Sequence, residues 1–256
     1  MPPNPNSKYL ISFTLHLADS TLILGQRNSE WCGHGPILEQ DIAITNISLD
    51  LLGQSRNFYQ YAASLIGNGA SEDSLAYLRT ERAYKNLLIT ELPNGDWGQT
   101  ILRQFFFSTY QFYLFQQLQN NADAQLAAIA AKALKEVTYH VRWSSEWVIR
   151  LGDGTEESNK RMLHAIDELK NYVGEFFILV DYENEMGIDI VLVKQQWQEK
   201  VNAVFEEANL PSPFGDGFWE KLFNQVGGKI GMHTEYLGFI LAEMQHLQRT
   251  YPGATW

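Results

Sequence analysis

Eight prolines in 256 residues, none inside a long stretch of apolar periodicity, constrain this chain more than any other feature. A proline removes a backbone donor and clashes with the preceding turn, so it marks where a helix cannot continue. Pro2, Pro3 and Pro5 mark a loose start, and Pro36, Pro93, Pro211, Pro213 and Pro252 punctuate the rest. Between them, apolar residues recur at helical spacing. The pattern predicts helices over 8–32, 37–67, 72–91, 97–119, 122–151, 157–181, 189–208, 216–226 and 229–250. Turn-forming runs separate them, among them Gly67-Asn68-Gly69, Pro93-Asn94-Gly95-Asp96 and Gly152-Asp153-Gly154-Thr155. Ile188 to Val193 is β-branched enough for a strand, but no second strand candidate stands ready to pair with it. No Gly/Ser or Pro linker divides the chain, so one all-α domain over 1–256 is expected, with 1–7 as a loose N-terminal segment.

Composition narrows the function classes. A 45% hydrophobic content excludes a disordered chain. Apolar runs such as Phe105–Phe107 and Phe176–Val180 fall far short of the roughly 20 residues that a bilayer span needs. A formal charge of −11 without a basic cluster excludes a nucleic-acid binder. The single cysteine, Cys32, forms no internal disulfide or thiolate cage. With His34 it suggests a nucleophile pair, but Gly33 and Gly35 read as a capping turn. The Pro/Asn-rich start, Met1 to Ser7, lacks a signal peptide's basic region and small-residue cleavage site, so a cytoplasmic protein without a membrane partner is expected. In 97–119, Trp97, Ile101, Phe105, Phe106, Phe107, Tyr110, Phe112, Tyr113 and Phe115 encircle the helix axis. Such a helix is central to its domain or lies under a partner.

Phosphate loops and nucleophile elbows are absent, and Gly152-Asp153-Gly154 follows a helix rather than a strand. Long-helix bundles are, however, where carboxylate-bridged di-iron sites occur, with two Glu-x-x-His pairs among their ligands. Only one such pair occurs, Glu243 to His246, close to chance for this composition. The acids Asp50 and Glu81 share the separation of Glu136 and Asp167. Where a di-iron protein would place histidine three residues after the second acid, the chain has Tyr84 and Lys170. A phenol is a poor ligand until ionised and an ammonium repels the metal. Lys170 would instead supply charge to the remaining acids, with His140 one turn after Glu136 as a further donor. Two readings stay open: a vestigial inward cluster that has lost its metal, or solvated carboxylates that share a spacing.

The run Ala18-Asp-Ser-Thr-Leu-Ile-Leu-Gly-Gln-Arg-Asn-Ser-Glu-Trp-Cys-Gly-His-Gly-Pro resembles the start of the C-subunit family of bacterial phenylacetyl-CoA epoxidases. So do Asp41-Ile-Ala-Ile-Thr-Asn-Ile-Ser-Leu-Asp-Leu-Leu-Gly-Gln-Ser-Arg, Leu92-Pro-Asn-Gly-Asp-Trp and Glu136-Val-Thr-Tyr-His. Trp147-Val-Ile-Arg-Leu-Gly-Asp-Gly-Thr-Glu-Glu-Ser, His233-Thr-Glu-Tyr-Leu-Gly and Ala242-Glu-Met-Gln complete an ordered set covering nearly the whole chain. The resemblance implies a ferritin-like four-helix bundle core with flanking helices. It implies a non-catalytic structural subunit, with no cofactor of its own, beside a homologous catalytic subunit that carries di-iron. A small bridging subunit and a reductase would complete the complex, and the isolated chain could form a homodimer. Two alternatives compete. One is a stand-alone di-iron oxidase using Asp50, Glu81, Glu136, Asp167 and His140. The other is an acyl-CoA or regulatory module with Arg79, Arg82 and Lys85, or Lys160 and Arg161, at a pocket mouth.

Overall fold

The long periodic stretches do become helices. In the computed structural model, which describes residues 5–215, 217–221, 225–252 and 254, α1 (Pro5–Ser29), α2 (Leu38–Ile66) and the short α3 (Glu72–Tyr77) come first. Next are α4 (Trp97–Leu118), α5 (Ala124–Gly152), α6 (Glu156–Leu169) and α7 (Asp181–Asn184). Last are α8 (Ile190–Glu207), α9 (Phe218–Lys221), α10 (Glu235–Met244) and α11 (His246–Thr250). No strand occurs among the described residues, and Ile190–Val193 is the first turn of α8. Of the loose start expected over 1–7, residues 1–4 lie outside the described residues and Pro5 already opens α1.

Two compact units share the chain, each assembled from separated stretches. Met1–Pro93, Val180–Met186 and Gly227–Trp256 form the first; Asn94–Leu179 and Gly187–Val226 form the second. In the first, α1 and α2 pack along each other. Gly25 of α1 meets Leu51 and Leu52 of α2, while Asp19 reaches Tyr59, so the two helices run antiparallel. Their shared core includes Phe13, Leu17, Ile23, Ile44, Ile47, Leu51 and Phe58.

In the second unit α4 is the central element, packing against α5, α6 and α8. Ile101, Phe105, Phe106, Phe107, Tyr110 and Phe115 are buried, and Phe112 and Tyr113 are half-buried. Those aromatics therefore build a core, with Trp197 donating its indole N–H to the Phe106 carbonyl at 2.9 Å and touching Phe177 and Phe214 edge-on. The starts of these helices are written in the sequence. Asp96 accepts from the Gln99 amide at 3.0 Å while the Gln99 side chain accepts from the Asp96 amide at 3.2 Å, opening α4. Thr155 and Ser158 open α6 in the same way, and Asp123 and Asp189 cap α5 and α8.

The largest departure from the expected helices lies at 72–91. Helix α3 has six residues, and two 3-10 turns follow at Glu81–Ala83 and Leu88–Thr90. The chain leaves the helix because buried polar side chains recruit its backbone: the Lys85 amide donates to Asp19 at 2.8 Å and the Lys85 carbonyl accepts from His16 at 2.7 Å. Likewise 157–181 is helical only to Leu169, then 3-10 over Lys170–Phe177, and 229–250 begins its helix at Glu235 behind the Thr234 cap. Of the helix expected over 216–226, α9 covers Phe218–Lys221; residues 216 and 222–224 lie outside the described residues.

Candidate functional site

The seven residues singled out from spacing occupy different environments. Asp50 on α2 and Glu136 on α5 are half-buried and His140 is buried. Glu81 is exposed in the first 3-10 turn, and Asp167 is exposed on α6. These two do not turn inward, because the chain is no longer α-helical at Glu81 and Asp167 lies on the solvent side of α6. Lys170 does pair with Asp167, as an i,i+3 surface ion pair that holds the Asp167 carboxyl below its ordinary range. Tyr84 is fully buried, and its hydroxyl donates to the Ala76 carbonyl. Among the described residues no group of three or more His, Cys, Asp or Glu side chains has the arrangement to hold a metal ion. This residue set does not fit a di-iron centre.

The concentration of buried charge lies elsewhere in the first unit. Asp19 of α1 is completely buried; it accepts from the Tyr59 hydroxyl at 2.5 Å and from the Lys85 amide at 2.8 Å. Arg79 forks onto both of its oxygens and also donates to the Leu75 and Ala83 carbonyls. The guanidinium stacks 4.3 Å from the Tyr84 ring centre. Burial opposes the Arg79 charge, but Asp19 more than compensates and holds the group firmly protonated. Burial, reinforced by the Asp19 charge, pushes the Tyr59 hydroxyl well above its ordinary range.

A second centre forms around Glu91, also completely buried. It accepts from the Thr234 amide at 3.0 Å, the Thr234 hydroxyl at 2.6 Å, and Asn86 Nδ2 at 3.0 Å. His233 Nδ1 lies 2.7 Å from the carboxylate and Nε2 lies 3.0 Å from the Tyr84 carbonyl. Both ring nitrogens face acceptors, so both carry hydrogens and the imidazole is a cation. Burial works against that charge, yet the Glu91 contact raises the His233 pKa above its ordinary value. Arg27 closes the arrangement by donating twice to the Glu91 carbonyl, at 3.0 and 2.8 Å.

A third centre joins Glu183 to Lys229 at 2.9 and 3.0 Å, both side chains nearly inaccessible. His16 lies 3.9 Å from Glu183, but burial drives its pKa down to about 4, so it is neutral and donates from Nδ1 to the Lys85 carbonyl. The segment bearing Lys229 and His233 reaches these acids through two glycines. A Cβ on Gly228 would stand 2.1 Å from the Asn86 carbonyl oxygen, and one on Gly231, at φ +80°, would stand 2.4 Å from that of Arg82.

Asp19, Glu91 and His233 were missed from spacing, although a faint signal existed: Asp19 is a lone acid in the apolar run Phe13 to Leu24. Asp19 and His233 sit within runs that carry the resemblance, and Glu91 immediately precedes another, at Leu92. The sequence profile of the phenylacetic acid catabolic proteins matches residues 1–256. The chain belongs to that family. It is 46% identical over 252 residues to the Escherichia coli (strain K12) protein named as the C subunit of 1,2-phenylacetyl-CoA epoxidase, covering 96% of this chain and 99% of that relative. The all-α, ferritin-like class expected from the resemblance is therefore the class of this chain.

Within this family member the three carboxylates are saturated by fixed donors, which braces the first unit rather than presenting an open ligand set. Two of the five basic groups weighed as a CoA-phosphate site have acidic partners of their own. Arg79 turns inward onto Asp19, and Arg161 pairs with Glu157 on the surface of α6. No described helix is long and apolar enough to cross a membrane.

Proposed function

We propose that this chain is the non-catalytic structural subunit of a multicomponent phenylacetyl-CoA epoxidase in aerobic phenylacetate catabolism in the cytoplasm. The observation that carries this reading is its near full-length identity to a relative named as the C subunit of that enzyme. Two features support it: Asp19, Glu91 and Glu183 are consumed by internal donors, and Asp167 is tied to Lys170 at the surface. The catalytic partner is a homologous helical subunit that holds the di-iron centre, assisted by a bridging subunit and a reductase. This chain contributes a stably braced helical surface against which the partner folds, in an obligate interface of the kind that typically exceeds about 2,000 Å².

Iron per chain, measured on the isolated protein and after co-expression with the catalytic subunit, tests the proposal. Negligible iron alone, about two irons per heterodimer, and epoxidation only in the complex are expected. Two irons and O₂-dependent turnover in the isolated chain would overturn it in favour of a stand-alone oxidase.

A further inference from the structure

The last stretch of the first unit is fastened at places of different chemistry. Its turn, 227–232, closes on itself, with the Ile230 and Met232 amides donating to the Gly227 carbonyl at 3.0 and 2.9 Å. Lys229 anchors that turn on Glu183 through two hydrogen bonds. Beyond it, His233 and Thr234 lead into α10 and α11 and hold the Glu91 carboxylate. At the far end Gln245 Nε2 donates to the Arg79 carbonyl at 3.1 Å and to the Tyr84 hydroxyl at 3.3 Å, and Arg249 donates to the Arg79 carbonyl at 3.2 Å. Between these two grips α10 buries Leu237, Ile240 and Leu241 and leaves Phe239 69% exposed.

We propose that residues 233–250 form an arm that swings away from the first unit about Met232 while the rest of the unit stays folded, and that each opening releases to solvent the proton His233 carries when docked. The His233 side chain has no access to solvent when docked, and its two nitrogens face Glu91 and the Tyr84 carbonyl. Without its second proton, one nitrogen would set a lone pair against an acceptor, and the buried Glu91 carboxylate would lose the cation at its side. In the open form the imidazole is solvated and titrates near about 6.5. Docked, it is held above that by Glu91, and Asp19 of α1 adds to the pull. The other charges nearby are engaged elsewhere. Arg27 of α1 donates to the Glu91 carbonyl, Arg79 is matched by Asp19, and Lys229 by Glu183. Glu81 lies further along the arm, beside Gly238, and Glu235 of the arm itself is exposed. Because Lys229 still covers Glu183 after opening, α1 and α2 stay folded, and Met232, 55% exposed, has room to turn. Opening uncovers Glu91 together with Leu237, Ile240 and Leu241. The arm is therefore a strap held most firmly below about pH 6.5, whose grip weakens as pH climbs to the docked pKa of His233.

The inference is independent of the proposed function, since its test uses neither partner subunit nor turnover. Amide hydrogen exchange of the full chain, read as protection factors between about pH 6 and 9, separates the arm from the rest. Amides 237–245 are expected to exchange at least about tenfold faster than amides 44–58 of α2, through an opening that low urea does not promote, because it exposes little surface. Their protection is expected to fall by up to about tenfold per pH unit above about 6.5, then to level off once the docked imidazole has lost its proton. His233→Asn should remove that slope. Thr234→Val takes a donor from Glu91 but no titrating group, so it should lower protection several-fold and keep the slope. An arm that exchanges with the protection and urea dependence of α2, wild-type protection that ignores pH, or a slope that survives His233→Asn would each overturn the proposal. Should His233→Asn fail to fold, Thr234→Val decides, since loss of the slope in that variant would overturn it as well.

Discussion

At the scale of single residues, the argument turns on buried charges that are each matched. Asp19 has no solvent to retreat to, so removing it strands the Arg79 guanidinium. Asp19→Ala is expected to destabilise the chain by about 3–5 kcal/mol, whereas the double variant Asp19→Leu/Arg79→Met should lose markedly less, because no lone charge remains. Denaturant midpoints of the single and double variants check this. His16 and His233 make opposite contributions to pH dependence. His16 has its folded pKa lowered to about 4, so between there and about 6.5 the unfolded chain binds the extra proton. Stability therefore falls as pH drops through that window, by on the order of 3 kcal/mol, and His16→Gln should flatten the acid limb. His233 is raised, so its contribution is full below about 6.5 and is lost as pH climbs through its folded value. His233→Asn should abolish that alkaline decline while lowering stability at neutral pH; unfolding curves from acid to alkaline pH distinguish the two.

At the scale of elements, the long helices were legible because their signals are local. The Asp96–Gln99 box, the Asp123 and Asp189 caps and the encircling aromatics of α4 all lie within one or two turns of what they specify. The stretch 72–91 was not legible, since apolar residues at 75, 78, 87 and 88 keep helical step while the backbone answers to Asp19, some sixty residues away. The same distance hid the buried centre: Glu91 and His233 are 142 residues apart, and neither neighbourhood alone announces the pairing. Spacing favoured Glu81 and Asp167 instead, because a shared interval is visible in a sequence and solvent exposure is not. Glycine positions can be ranked the same way. Gly231→Ala forces both a left-handed backbone and a carbonyl collision, and should cost about 2–4 kcal/mol. Gly33→Ala, at the same φ with open space around it, should cost only about 1–2 kcal/mol. Thermal melts of the two variants test the ordering.

At the scale of the whole molecule, the first unit is closed by stretches that are remote in sequence. Glu183 arrives on Val180–Met186, and Lys229 and His233 on Gly227–Trp256. A chain ending at Val226 would retain α1, α2 and both acids but neither cation. It is expected to lose amide-exchange protection throughout α1 and α2, because Glu91 and Glu183 would be buried without their partners. Protection in those helices equal to that of the full chain would contradict this account of how the unit is held.

The separation of Glu91 from His233 also sets a clock. At about 5–20 residues per second, a ribosome needs roughly 7–28 s to make the 142 residues between them. During that interval α1, whose Arg27 donates to the Glu91 carbonyl, is already made, but the Glu91 carboxylate has no counter-ion. Helices α1 and α2 thus belong to a unit that is completed only after the second unit's stretches have been made, and the growing chain spends those seconds without the buried Leu237, Ile240 and Leu241 of α10.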